Sequence, residues 1–217
     1  MSNAQTTREA AYRPPLPPRW KGSDSVTMVH EFNARCLTAL GAWAKESVQR
    51  DLSVIEQHRA LWSQLDGLSI PRAAQLPFVI LTVRFTDGHW WRAVADRRAK
   101  DPPARASTGA WPSEIADPLA QELLIFAWHT VRWDERVARL LLGMSSEVGE
   151  TLSRLSPRRL TEIGPVARRE LRLRWQQDTA FWELLLTAAL KDSRQALSEV
   201  HLHAKLLVCG ELFAAGG

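Results

Sequence analysis

Cysteine is nearly missing from this 217-residue chain. Cys36 and Cys209 stand far apart in apolar, helix-like surroundings, so there is neither a disulfide framework nor the paired-cysteine spacing of a structural zinc site. Two buried thiols in a reducing cytoplasm is the expectation. Long apolar runs are missing too. No stretch approaches the roughly 18 consecutive apolar residues of a membrane span, and Met1 to Ala10 lacks the apolar core of a signal peptide. There is no HExxH, no nucleophile elbow and no glycine-rich phosphate loop. The histidines, His30, His58, His89, His129, His201 and His203, are scattered. His201 and His203 are two residues apart and point to different sides of a helix, which makes a poor metal pair. Cys36 and His30 share a helix face, but an apolar stripe accounts for them. No catalytic residue, cofactor or metal is therefore expected, and the chain is read as something other than an enzyme.

What the chain has is tryptophan. There are ten, against one tyrosine, in a composition that is 45% hydrophobic and 24% charged. That suits a soluble, mainly helical protein with a sizeable core. The net charge of +4 permits contact with nucleic acid or acidic proteins without requiring either.

Along the chain, residues 1–25 read as a disordered tail. Its Arg13-Pro14-Pro15-Leu16-Pro17-Pro18-Arg19 segment suits a polyproline tether, or a ligand for an aromatic groove. Residues 26–100 form a first module. Val29, Phe32, Cys36, Leu37, Leu40 and Trp43 repeat at helical spacing, and the pattern runs to Asp66-Gly67. Phe78 to Phe85 is β-branched and aromatic and predicts a strand, with a helix from Trp90 to Lys100 after it. Residues 101–118, rich in proline and small residues, read as a linker. Residues 119–217 form a second module, with Gly143 as a helix C-cap and Ser145 or Ser146 capping the next helix. Ser156-Pro157 starts another helix, and Leu171 to Trp175 alternates like a strand.

Two stretches repeat the same order of features. Leu68-Ser69, Pro71-Arg72, Pro77, Arg84-Phe85, Asp87 and Trp90-Trp91 match Leu155-Ser156, Pro157-Arg158, Pro165, Arg174-Trp175, Asp178 and Phe181-Trp182. The spacing drifts from 87 at the start to 91 at the end. Such ordered matches favour duplication over chance. The fold expectation is a mainly α protein of two tandem helical modules, each with one short β-strand. A lone strand cannot satisfy its backbone groups, so the two strands are expected to pair, as in an intramolecular version of a symmetric dimer.

In the second module, Asp134, Leu142-Gly143-Met144, Ser145-Ser146-Glu147, Leu152, Leu155-Ser156 and Arg172-Leu173-Arg174-Trp175 follow an apolar helix. In this order the segment from Leu123 to Trp175 resembles FlhD, the subunit of the flagellar master transcription regulator, including relatives on mobile elements. Val200 to Leu207 is similar to that family's last helix. The resemblance implies a helical, dimer-forming subunit that binds promoter DNA together with a second, FlhC-like regulator subunit. The family's subunit is about half this length. It often carries a cysteine near the Arg-aromatic step, and this chain has none there, so no inter-subunit disulfide is implied.

Val137 to Val148 reads either as a helix-turn-helix or as a plain helical hairpin. The strongest charge signal runs from Arg154 to Arg174, where seven arginines face only Glu162 and Glu170. Arginine suits bidentate contact with phosphate. Ser145, Ser146, Arg154, Arg158, Arg159, Arg168, Arg169, Arg172 and Arg174 are the candidate contacts to double-stranded DNA. The expected function is a DNA-associated transcriptional regulator that acts with a partner subunit. The alternative is a protein-interaction adaptor that uses its tryptophan-rich faces without touching DNA. A homo-oligomer is open in either case.

Overall fold

A computed structural model describes residues 22–46, 53–96 and 111–214. The proline segment 13–19 lies outside the described residues, as do 97–110, which hold most of the expected linker. Among the described residues the protein is mainly helical, with eleven helices and one small two-stranded antiparallel sheet.

The apolar stripe of the first run forms one long helix, α1 (Gly22–Glu46). Val29, Phe32, Cys36, Leu37, Leu40 and Trp43 are all buried along it. They face the short helices α3 (Arg59–Gln64), which follows α2 (Ser53–Gln57), and α4 (Ser69–Ala73). Asp66 does more than end a helix. Its carboxylate accepts from Leu68 N and Ser69 N at 3.0 and 2.8 Å and holds the start of α4.

The strand expected over Phe78–Phe85 shortens to β1 (Leu81–Val83), because the residues before it find other partners. Phe78, Val79 and Ile80 are buried, so their backbone groups must be satisfied. The side chain of Asn33, itself 0% exposed, donates to Phe78 O at 2.9 Å and accepts from Ile80 N at 3.1 Å. Val79 N donates to Leu141 O at 2.9 Å. The strand expected over Leu171–Trp175 likewise shortens to β2 (Leu171–Leu173).

The two strands pair antiparallel, with Leu81 opposite Leu173, Thr82 opposite Arg172 and Val83 opposite Leu171. The leucines and Val83 turn into the core, and Thr82 and Arg172 stay half-buried on the outer face. Each strand leaves through a similar turn. Arg84 and Trp175 adopt left-handed φ values of 46° and 52°. Asp87 N and Asp178 N close the two turns on the carbonyls of Arg84 and Trp175, both at 2.9 Å. The Asp87 and Asp178 carboxylates then accept from Trp90 N and Phe181 N, again both at 2.9 Å. They start α5 (Gly88–Asp96) and α10 (Thr179–Leu190). Finally, the Trp91 indole donates back to Val83 O at 3.0 Å and the Trp182 indole to Trp175 O at 3.2 Å. One residue differs. The turn after β2 has an extra position, and Arg174 fills it.

After the turns the helices cross over. α10 lies against α2, α3 and α4, where Trp182 meets Trp62 with ring centroids 5.4 Å apart. α5 lies against α8 (Ser146–Arg154) and α9 (Pro157–Arg169). The remaining frame is α6 (Ser113–Trp133), packed on α7 (Glu135–Leu142), α8 and α9. α6 begins at Ser113, inside the stretch expected to be linker. Buried Trp111 anchors that stretch 6.4 Å from Trp43, and Pro118 sits within the first two turns of α6, where its missing N–H costs one helical bond. Pro165 lies inside α9, whereas its expected match Pro77 precedes β1, so the likeness of the two stretches weakens upstream of the strands. α11 (Arg194–Ala214) closes the chain against α10 and α7. α10 is buried on most sides because it lies between α11 and the first-half helices. All the buried apolar side chains form one continuous core.

Most of the described tryptophans belong to that core. Trp43, Trp62, Trp90, Trp91, Trp111 and Trp182 are buried, Trp128 and Trp175 are half-buried, and among the described tryptophans Trp133 alone is exposed. The tryptophan-rich faces expected for an adaptor are interior surfaces.

Candidate nucleic-acid and partner interface

The α7–turn–α8 unit is built from local signals. Asp134 caps α7 through Arg136 N and Val137 N. Gly143 ends it with a φ of 62°, in the left-handed region that glycine tolerates best. A Cβ there would also run into the Arg174 guanidinium. Ser145 caps α8 by accepting from Val148 N. Ser145 is buried, and its own N–H donates to Phe85 O at 2.9 Å. It fastens the turn to the exit of β1 and has no path to a phosphate. Ser146 is exposed on the first turn of α8. The outer face of α8 then carries Glu150 and Arg154, which pair with each other. Glu147 on the same helix pairs with Arg92. This face has no excess of positive charge to offer a duplex.

The arginine-rich stretch divides in the same way. Arg158 is exposed and pairs with Glu162 at 3.1 Å. Arg159 meets Glu162 at 3.0 Å, and it also donates to Val94 O and Ala95 O at 2.7 and 3.3 Å. Those are end carbonyls of α5, so Arg159 acts as a C-terminal cap supplied from another helix. Arg159 and then Arg158 hold the Glu162 carboxyl below the usual carboxylate range. Arg168 pairs with Asp117 at 3.1 Å and ties α9 to α6. Arg169 is exposed. Arg172 folds its guanidinium onto Arg169 O and Leu171 O at 3.0 and 2.7 Å. Burial lowers its pKa, and Arg84 pushes in the same direction.

Arg174 is 2% exposed. Its guanidinium donates to Val79 O and Leu141 O, both at 3.1 Å, pairs with Glu211 on α11, and lies 4.7 Å from the Trp175 ring. Burial pushes its pKa down, and Glu211 works against that shift. Arg174 is a structural hub that joins β2, α7, α11 and the segment before β1. Among the nine candidates, Arg174 and Ser145 are therefore removed from any surface, and Arg159 and Arg168 are engaged in packing. Ser146, Arg154, Arg158 and Arg169 remain exposed, with Arg172 half-buried.

Sequence reasoning missed the acidic partners. Glu170 sits beside Arg172, yet it pairs with Arg84 at 2.8 Å, 86 positions away. Burial works against charge on Arg84, but Glu170 and Asp87 more than offset it and raise its pKa. Glu211 lies 37 positions from Arg174. Neither pairing has a local signal.

Of the two thiols expected to be buried, Cys209 is exposed on the outer side of α11, away from the face that α11 packs inward; Cys36 is fully buried, and burial raises its thiol pKa well above the usual value, so that thiol stays protonated. Among the described residues no three histidine, cysteine or carboxylate side chains gather as a metal site, and no helix is long and apolar enough to cross a membrane. The exposed apolar side chains concentrate on α11, where Leu202, Leu206 and Phe213 are 60%, 64% and 83% exposed.

No protein-family model, characterised protein or solved structure matches this chain. The likeness of Leu123–Trp175 to FlhD thus stands on the residues quoted above alone.

Proposed function

We propose that the protein is an interaction adaptor of a regulatory assembly, that it meets its partner through surfaces other than the tryptophan faces, which are interior, and that it does not grip DNA through its arginine-rich stretch. The observation that carries this reading is the internal pairing of those arginines. Arg154, Arg158, Arg159, Arg168 and Arg174 all face carboxylates of the same chain. Phosphate contact through them would first break those pairs. A cytoplasmic setting belongs to the same proposal and is supported by the two unpaired cysteines.

The test is DNA binding by the chain alone across a salt series. Each neutralised phosphate contributes about 0.9 to the log–log slope. The exposed Arg154, Arg158 and Arg169 allow a slope no steeper than about −3, with no preference among duplex sequences. A slope of about −6 or steeper, made shallower by about 2 in the Arg158→Ala, Arg169→Ala double variant, would sink the adaptor reading.

The second reading is a DNA-associated transcriptional regulator that needs an FlhC-like partner. It is favoured by the glycine-ended, serine-capped turn between α7 and α8. It requires tight duplex binding only when the partner is present. Under both readings we regard the chain as a duplication of one module, fused where a homodimer would otherwise form. The matching Asp-capped turns and the exchanged positions of α5 and α10 support this.

A further inference from the structure

The outer face of α11 carries a pattern that the fold does not use. Leu202, Leu206, Cys209 and Phe213 follow one another at steps of four, three and four residues and are all exposed. That is the alternation of the two apolar positions in a coiled-coil heptad. The opposite face, Val200, Ala204 and Val208, is already buried against the body of the protein. From His201 to Ala214 the charged residues are Lys205 and Glu211, and Glu211 is committed to Arg174. An apolar seam depleted of charge is the composition of an interface core.

We propose that this seam pairs with the same seam of a second copy, antiparallel, about a twofold axis crossing α11 between Leu207 and Val208. In that register Leu206 lies opposite Cys209 of the other copy, and Leu202 opposite Phe213, each twice. Leu206 thereby meets the small Cys209 and is not stacked on its own equivalent. Lys205 falls opposite Gly210, where even an added Cβ would meet nothing within 4 Å, so its stem has room to reach water. Antiparallel packing also sets the helix dipoles head to tail. The seam presents apolar surface on the order of a few hundred Å² per chain. Doubled, with flanking stems, it approaches the roughly 1,000 Å² that a specific interface needs. The contact is isologous, so it closes at two copies. The seam can pair whether or not the protein binds DNA.

Sedimentation equilibrium of the full chain at tens of micromolar tests it. The expected mass is about twice the 24.5 kDa of one chain. Leu206→Glu should return a single-chain mass with an unchanged circular dichroism spectrum and urea midpoint, because that side chain is exposed. A single-chain mass for the parent, or a dimer that survives Leu206→Glu, overturns the proposal. Oxidative crosslinking tests the register. In the antiparallel seam the two Cys209 α-carbons are offset by about 4.5 Å along the axis, whereas Leu206 lies directly opposite Cys209 of the other copy, inside the disulfide range of about 4.4–6.8 Å. Leu206→Cys should therefore crosslink faster than the parent, and mass-spectrometric mapping should find the introduced thiol bonded to Cys209 of the other copy. Bonding of like positions to each other in that variant would mean a parallel seam and overturn the antiparallel one. A seam that instead holds an unrelated protein would appear as a single-chain mass and count against the proposal.

Discussion

Replacing Arg174 with methionine keeps most of the side chain's volume and removes its charge and its donors. The carbonyls of Val79 and Leu141 each lose a hydrogen bond of 3.1 Å. Leu141 O keeps a partner, because it also accepts from Val79 N at 2.9 Å. Val79 O loses the guanidinium, and a buried carbonyl left unpaired costs about 1–3 kcal/mol. Glu211 loses its counter-charge, but its side chain is 25% exposed and can rehydrate. That places its share below the roughly 3–5 kcal/mol of breaking a fully buried pair. Together these losses put Arg174→Met at about 3–4 kcal/mol. In a chain of this length that is a fall in Tm of roughly 6–16 °C. Urea denaturation followed by far-ultraviolet circular dichroism near neutral pH measures it directly. Adding Glu211→Leu to the methionine variant should cost less than it costs the parent, since the unpaired carboxylate is then gone, with a coupling of at least about 1 kcal/mol. A methionine variant within about 0.5 kcal/mol of the parent, with DNA affinity lost, would refute the reasoning and return Arg174 to the surface as a phosphate ligand.

Two further outcomes follow from the same geometry. Gly143→Ala should destabilise by about 2 kcal/mol or more, because a left-handed φ costs alanine roughly 1–2 kcal/mol and the new Cβ runs into the Arg174 guanidinium; a thermal melt that matches the parent would show that the turn relaxes freely. Burial lowers the pKa of His30, His129 and His201, so the unfolded chain binds more protons below about pH 6.5. The urea midpoint should therefore stay flat above that pH and decline below it, and a midpoint that rises on mild acidification would contradict the assignment.

Much of the local structure was legible because its causes are local. The α1 stripe from Val29 to Trp43 declares a helix by spacing alone. Gly143, Ser145 and Ser156 mark helix ends because their chemistry acts within four residues. The β-branched run at Phe78–Phe85 marked a strand, yet its true extent was not readable. Asn33 and Leu141 take the backbone groups of Phe78 to Ile80, and both lie far away in sequence.

The candidate interface was less legible for the same reason. A run of arginines reads as a positive surface when its partners are invisible. Asp117 and Glu211 neutralise Arg168 and Arg174 from 51 and 37 positions away, and only the folded chain brings them together. Periodicity and turn residues act over short range, so they already mark a helical protein with two short strand segments, each followed by a helix that carries an aromatic pair; the Asp87 and Asp178 caps of those helices emerge only in the folded chain. The tertiary structure alone decided the register of Thr82 opposite Arg172, the crossing of α5 and α10, and which charges remain exposed. Those depend on contacts between distant residues, whose closure entropy is overcome only when the whole core is buried together.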